Sequence, residues 1–420
     1  MNSPHLNSLL STIYRRATVP RKILWLSLMT CALTARAQPV VAPPPAVSYV
    51  PAALPQAPVS ESTPPTALGS SPFAWGVVTL HPHFSYRFLY GDGIQANPGQ
   101  RAITSIHALS PGVLLDIGTH WTLDYTPTQT YYSNSAFKDT LDNAVRLQGG
   151  TTFEDWTFQV SQTYVSSSTP LIETARQTNQ DTYGTAASAL YRFGHQLQLD
   201  TSLSYQARFP KAFPSSKEST LGERLHYQFS PHLDSSVNLD FGYVNMSLGS
   251  DMSYTRPALQ INWKATDKIS FDLQGGFENR KFRTGGAKDL NSPTFGASIQ
   301  YQPFTTTTVS IAANRGVTVS YFTSQITRST SWTLNFQQRL LQHYYLSAGY
   351  SGQDSTYVTT DPTVAAGRAD RSNSFNVRVT TTFFQRATFA ILYQNSHNNS
   401  NNTGFGYTSS QVGFELGYRY

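Results

Sequence analysis

The chain has 420 residues, 39% of them hydrophobic and only 13% charged, against roughly 25% charged in average soluble proteins. Mean hydropathy is negative, and no apolar run of about 18 residues follows the N-terminal region, which excludes a helical membrane protein. A sequence pI near 9.2 invites a nucleic-acid reading. Position removes it: Arg15, Arg16, Arg21, Lys22 and Arg36 stand before residue 38 without any Asp or Glu, and subtracting these five charges from +6 leaves +1 for the rest.

That N-terminal region has the form of a secretory signal peptide, residues 1–37. A basic stretch ends at Lys22, an apolar run extends from Ile23 to about Ala35, and Ala35-Arg36-Ala37 offers small residues for cleavage. The single cysteine, Cys31, lies inside the apolar run, where Thr30 is a poor neighbour for lipidation. Cleavage would leave a chain without cysteine, and so without disulfides or thiolate chemistry. Residues 38–72 follow as a Pro/Ala-rich linker, with Pro43-Pro44-Pro45, Pro51, Pro55, Pro58 and Pro64-Pro65 favouring extended conformations. It reads as a disordered periplasmic spacer, or else as a docking segment for a periplasmic partner.

From Phe73 onward the sequence shows alternating segments and no convincing helix. Side chains on a strand alternate between faces, so an apolar residue at every second position makes one apolar face. The first segment spans about Val77 to Tyr90, before a polar loop at Gly91–Arg101; the second spans roughly Ile103–Ile117 and turns at Gly118-Thr119-His120. Trp121, Leu123 and Tyr125 then share one face, with Thr122 and Asp124 on the other. Short connections are expected at Glu154-Asp155, Gly194-His195, Ser230-Pro231-His232, Lys264–Lys268, Gln302-Pro303, Leu340–Gln342 and Gln385-Arg386. Long polar ones are expected at Ser133–Leu141, Ser167–Asp181, Pro210–Ser219, Asn245–Met252, Arg283–Ser292, Val317–Ser324, Ser355–Asp370 and Ser396–Tyr407.

This rhythm predicts an all-β protein over 73–420: an antiparallel up-and-down transmembrane barrel of 18 strands, or 16 at the least. Lipid offers no partner for a free backbone N–H or C=O, so a spanning sheet must close on itself. Aromatic residues flank the short turns, among them Phe193, Phe229, Trp263, Tyr301, Phe304, Tyr344, Tyr345, Phe383 and Phe384, where an interfacial girdle would sit. Leu197, Leu199, Leu203 and Tyr205 form one lipid-facing stripe; Val237, Leu239, Phe241 and Tyr243 form another. The final stretch alternates Val412, Phe414, Leu416, Tyr418 and Tyr420 with Gly413, Glu415, Gly417 and Arg419. It resembles the closing strand of an outer-membrane barrel, with Phe414, Leu416, Tyr418 and Tyr420 as the signal read by the barrel-assembly machinery.

A wider resemblance is carried by Pro82-His83-Phe84-Ser85-Tyr86, Tyr90-Gly91-Asp92-Gly93-Ile94, Ser110-Pro111-Gly112-Val113 and Trp121-Thr122-Leu123-Asp124-Tyr125. In that order these motifs resemble the start of a family of outer-membrane β-barrel porins of Gram-negative bacteria. The resemblance covers Leu80 to Gly150, about a sixth of the chain, and implies a channel in the outer membrane in contact with lipid and lipopolysaccharide. Some relatives are associated with exopolysaccharide export, which opens a second reading: an accessory outer-membrane barrel of exopolysaccharide export or cell-surface assembly that needs a partner, with polysaccharide-export components among the candidates.

The inward set of ionisable residues is the remaining signal. Arg146, Arg192, Arg208, Arg224, Arg280, Arg378 and Arg419 are opposed by Asp124, Asp200, Asp234, Asp240, Asp272, Glu278 and Glu415. These lumen-lining candidates either set a transverse field across the pore or pair across strands and keep the wall solvated; mixed signs give weak ion selectivity. Ser167–Asp181 and Ser355–Asp370 are the longest loops that could fold inward. No catalytic, cofactor or metal site is expected. His81 and His83 share a strand face but have no third ligand nearby, no GxSxG occurs, and the other histidines are scattered. No residue pattern marks an oligomer interface.

Overall fold

The computed structural model describes residues 73–283, 288–361, 364, 367–384 and 386–420. The signal peptide and the proline-rich linker expected over 1–72 lie outside the described residues. The described chain is all β. A two-residue lead-in, β1 (Ala74–Trp75), precedes β2 (Val78–Asn97), β3 (Gln100–Ile117), β4 (Trp121–Tyr132), β5 (Thr140–Phe153) and β6 (Trp156–Ser167). A small separate hairpin follows, β7 (Pro170–Leu171) with β8 (Arg176–Gln177). The wall resumes with β9 (Gln180–Phe193), β10 (Leu197–Pro210), β11 (Ser216–Ser230), β12 (Leu233–Met246), β13 (Met252–Thr266) and β14 (Ile269–Phe282). It ends with β15 (Leu290–Phe304), β16 (Thr307–Val319), β17 (Gln325–Leu340), β18 (Tyr344–Thr359), β19 (Ala369–Phe383), β20 (Ala387–Ser400) and β21 (Tyr407–Arg419).

Eighteen of these strands pair antiparallel with their neighbours, and the last pairs with the first, from His83↔Arg419 to Asp92↔Ser410. The sheet is therefore a closed barrel of the predicted strand number. Closure leaves no lateral edge in the membrane, the condition a spanning sheet must meet. Around the seam Tyr420 N donates to Pro82 O at 3.0 Å, and the Phe73 and Tyr420 rings lie 5.7 Å apart.

The register settles which residues share a face. Leu203, Val237, Phe241, Leu273, Phe277, Ile391 and Val412 all lie on the exposed outer face. Opposite-parity residues such as Asp200, Arg224, Asn238 and Asp272 face inward. Rings stack along the outer face near the short turns, for example Trp156 on Phe158 at 5.5 Å and Trp263 on Phe271 at 5.3 Å. Tight turns rely on left-handed backbone: Gly194 at φ 73° joins β9 to β10, a conformation that costs glycine little.

Several boundaries differ from the sequence reading. Gly91–Arg101 is no loop: β2 and β3 continue as a paired ribbon to Asn97↔Gln100, with register shifts after Gly91 and Gln95. The β15–β16 turn falls at Thr305-Thr306, beyond the expected Gln302-Pro303, because Phe304↔Thr307 is the last pair. Ser167–Asp181 contains the β7–β8 hairpin.

The top of β16 parts from β15, while β17 stays paired with β18 up to Gln325↔Thr359. β14 pairs with β15 up to Arg280↔Leu290, yet β15 pairs with β16 only from Phe295↔Arg315 downward. β16 and β17 stay paired to each other up to Val319↔Ile326. The hairpin tip thus bends into the barrel, and Val317, Val319 and Ile326 pack against Val244, Met246, Met252 and Tyr254 of the inner wall. This apolar cluster is a core inside the lumen.

Candidate functional site at the outer mouth of the lumen

Three chain segments converge at the long-loop end of the barrel. The first is the bent β16–β17 hairpin. Arg280 donates to Val317 O at 3.4 Å, and Arg208 donates to Val319 O and Ser320 O, both at 3.3 Å. The Arg208 guanidinium also lies 4.0 Å from the centre of the Tyr321 ring. Both arginines are buried, so these contacts are made away from bulk water, where a charged donor is strongest.

The second segment is the β7–β8 hairpin. Glu173 at its tip accepts hydrogen bonds from Ser320 Oγ at 2.6 Å and from Tyr321 N at 2.8 Å. Burial among the loops raises the Glu173 pKa, although the Ser320 and Tyr321 bonds and the charges of Arg208 and Arg368 act the other way. Gln177 exchanges two hydrogen bonds with the Lys138 backbone, tying the hairpin to the β4–β5 loop. Tyr321 reaches back to Gln180 Oε1 at 2.7 Å.

The third segment is the β18–β19 loop, through Arg368. Its guanidinium donates to Glu173 O at 2.8 Å, pairs with Asp370, and lies over the rings of Phe405 (3.7 Å) and Tyr357 (4.4 Å). The two loops singled out as inward candidates therefore meet each other. They meet over a third element, the β16–β17 tip, which the sequence reading passed over.

Below this cluster the inner wall carries the ionisable residues. Glu278 and Arg280, each 1% exposed, pair at 2.8 Å, and Arg256 joins Glu278 at 2.9 Å and Asp240 at 3.7 Å. Glu415 is held between Arg378 at 3.0 Å and Arg87 at 2.9 Å. Asp200 lies 3.9 Å from Arg224, and Asp124 meets His83 at 3.3 Å with Arg419 near enough to act on its charge. Asp234 and Asp272 accept from the amides of Asn262 and Gln260 instead of from arginine. Arg146 lies opposite Asp124, and Arg192 opposite Gln198, on the same face. Phe414, Leu416 and Tyr418 lie on the outer face of the closing strand.

Sequence reasoning missed Arg87, Arg256, Arg368 and Glu173. Arg87 and Arg256 sit at inward parity and alternation alone could have found them; Glu173 and Arg368 lie in loops, which carry no periodic signal. His81 and His83 do not converge on a common ligand: His81 Nε2 meets Asp116 at 3.1 Å, away from the His83–Asp124 pair. Among the described residues no group of three His, Cys, Asp or Glu could hold a metal ion.

An antiparallel barrel that is apolar outside and ionised inside, closed strand to strand, is a transmembrane β-barrel of the outer-membrane type. No protein-family model and no curated protein sequence matches the chain. Among solved structures it is similar to OccAB4 of Acinetobacter baumannii, at 12% identity and a TM-score of 0.45, covering 81% of this chain and 98% of that one. It is similar also to the outer membrane protein opdK of Pseudomonas aeruginosa, at 11% identity and a TM-score of 0.45, covering 81% and 99%. A third is OccK2 (OpdF) of Pseudomonas aeruginosa in complex with glucuronate, at 11% identity and a TM-score of 0.45, covering 81% and 97%.

Proposed function

We propose that this chain is an outer-membrane porin through which small hydrophilic solutes diffuse passively. One observation carries the reading: an apolar outer face encloses an inner face lined by ionised and amide side chains, such as Asp200, Arg224, Arg378 and Glu415. A barrel of this strand number has a lumen wider than wall side chains fill, so what narrows it must fold in from the ends. The β7–β8 hairpin and the β16–β17 tip are the elements placed to do so. Mixed charge along the wall favours weak ion selectivity over strong preference for one sign.

In this reading residues 1–37 are a removed signal peptide and 38–72 a periplasmic spacer. Phe414, Leu416, Tyr418 and Tyr420 form the signal by which assembly machinery inserts the barrel, and the outer face contacts lipid and lipopolysaccharide. The lumen-facing candidates, from Asp124 to Arg419, contact permeating solute and water. The test is single-channel conductance of the purified barrel in a planar bilayer. Stable steps with weak ion selectivity support a diffusion pore. A folded, heat-modifiable barrel that never conducts would overturn it and favour an accessory barrel dependent on export components.

A further inference from the structure

The outer face of the wall carries an acid at mid-height. On β11 the exposed Leu221 and Leu225 flank Glu223, and register places all three on that face, with Glu223 opposite Thr201 of β10 and Leu239 of β12. Glu223 stands six residues above Phe229, the exposed ring beside the short turn. A strand tilted about 40° climbs roughly 2.5 Å per residue, which puts the carboxyl about 15 Å up an apolar band roughly 25 Å tall. Among the described residues no other carboxylate occupies that height on the outer face. Lipid offers nothing to solvate it there, so an acid at this depth calls for a partner that can be named.

A second polar side chain shares the height. Gln162 of β6 stands six residues above the exposed Trp156, on the same outer parity as Phe158 and Val160. Between β6 and β11 run β9 and β10, whose outer-face residues six steps above Phe193 and Leu197 are Ala187 and Leu203. One level of the wall therefore reads Gln162, Ala187, Leu203, Glu223 across four neighbouring strands. Gln162 and Glu223 are three strand spacings apart, roughly 14 Å, and cannot meet within one chain. Each is half-satisfied. Thr185 Oγ1 donates to Gln162 Oε1 at 2.6 Å, while Gln162 Nε2 makes only a 3.5 Å contact, with Thr163 O. Thr201 Oγ1 donates to Glu223 Oε2 at 2.8 Å, and among the described residues Glu223 Oε1 accepts nothing. A spare donor ends the row on one side and a spare acceptor on the other.

We propose that this row is the contact surface between two copies of the chain, related by a two-fold axis along the membrane normal, level with the gap between β9 and β10. Such an axis keeps both copies the same way up and preserves the height of every residue. It sets Gln162 of each copy against Glu223 of the other, and Ala187 against Leu203. Donor then meets acceptor twice, and Leu203, 57% exposed, fills the space over the small Ala187. Side-chain length fits too, because two convex walls touch at the centre and diverge at the flanks, where the long polar residues stand. The occupant is a second copy because the row supplies its own complement at one depth. Strand alternation does not reveal it, since only the register fixes the relative heights of the four residues.

The test is the association state of the full chain, purified from outer membranes and placed in phosphatidylcholine vesicles. Single-molecule photobleaching of fluorescently labelled chains counts copies over a range of lipid-to-protein ratios. Wild type should form dimers. Gln162→Leu/Glu223→Leu should dimerise at least about ten-fold more weakly, as the loss of two hydrogen bonds made in lipid implies. Glu223→Gln, which keeps the acceptor, should lose less. In outer membranes, Gln162→Cys/Glu223→Cys with Cys31→Ser should be joined between chains by a short bismaleimide, and Glu223→Cys with Cys31→Ser should not. A wild type that stays monomeric at every ratio, a trimer, or equal association of the double leucine variant would overturn the proposal. Heat-modifiable mobility verifies folding of each variant. Copies are counted whether or not the barrel conducts, so failure here leaves the pore reading standing.

Discussion

Glu173 accepts a 2.6 Å hydrogen bond from Ser320 Oγ across 147 residues of sequence, joining the β7–β8 hairpin to the bent tip of β16–β17. Neither element belongs to the barrel wall at that point, so each holds the other in place inside the mouth. The bond makes the mouth responsive to protons. Burial raises the docked Glu173 pKa above that of a free carboxyl, so the docked state binds a proton more tightly than the undocked one. Docking stability is then fully present below the free carboxyl's pKa and declines as pH rises through the raised value. Hydrogen exchange at the Ala175 amide, which donates to Leu171 O, should show higher protection at pH 5 than at pH 8 after correction for intrinsic rates. Glu173→Gln, which mimics the protonated form, should remove the pH dependence; an unchanged slope would place the proton elsewhere.

Arg208 holds the tip from the opposite wall through two backbone carbonyls and the Tyr321 ring. A hydrogen bond from a charged donor contributes about 1.5–3 kcal/mol, equivalent to roughly 10- to 150-fold in a local opening equilibrium. Arg208→Ala should therefore speed exchange of the backbone amides at 319–325 by about that factor, with little change at β4 or β5. In a bilayer the same variant should give larger or noisier current steps. Uniform loosening of the whole barrel would contradict the assignment.

The Arg256–Glu278–Arg280 group predicts an asymmetric mutational response. Glu278 is 1% exposed and serves both guanidiniums. Glu278→Ala leaves the buried Arg280 cation without its ion-pair partner, beside the partly exposed Arg256, and should cost about 3–5 kcal/mol. Replacing both Glu278 and Arg280 with methionine should cost less, since no uncompensated charge at those two positions then remains. Urea unfolding in lipid vesicles, followed by tryptophan fluorescence, distinguishes the two outcomes.

Orientation of the faces is tested by neighbours on one strand. Leu203 is 57% exposed on the outer face near mid-height of β10, and Ser204 points the other way. Leu203→Arg should destabilise the barrel by about 2–4 kcal/mol in vesicles, while Ser204→Arg should cost under about 1 kcal/mol. Equal costs would mean that the wall does not divide lipid from water at this level.

Much of this architecture was legible in the residues, because a wall with two solvents writes a period of two into every strand. Val237, Leu239 and Phe241 against Asn238 and Asp240 carry that message without any tertiary information. The mouth was not legible in the same way. Glu173, Ser320 and Arg368 act at the ends of loops, where no periodicity constrains them, and their meeting depends on where the barrel brings three loops in space. One clue lay in the strand pattern itself: Val317 and Val319 continue the apolar alternation of Val309 and Ile311 into a segment read as loop. Apolar residues there signal a second packing surface, and the structure supplies it in Val244, Met252 and Tyr254. The two bridging cations Arg87 and Arg256 were within reach of the alternation argument and were overlooked.

Pairing β2 with β21 also sets the order of events in making the molecule. His81 Nδ1 lies 3.3 Å from Tyr420 O across 339 residues, so no intermediate lacking the final strand can seal its first. Until that strand arrives, every partial sheet has two unsatisfied edges, each able to recruit a foreign strand. Contacts of such sequence separation also form slowly, because the intervening chain must be ordered before they yield any stability. A chain truncated before Tyr407 therefore leaves β2 and β20 as open edges, and on refolding should fail to give the closed, heat-modifiable form.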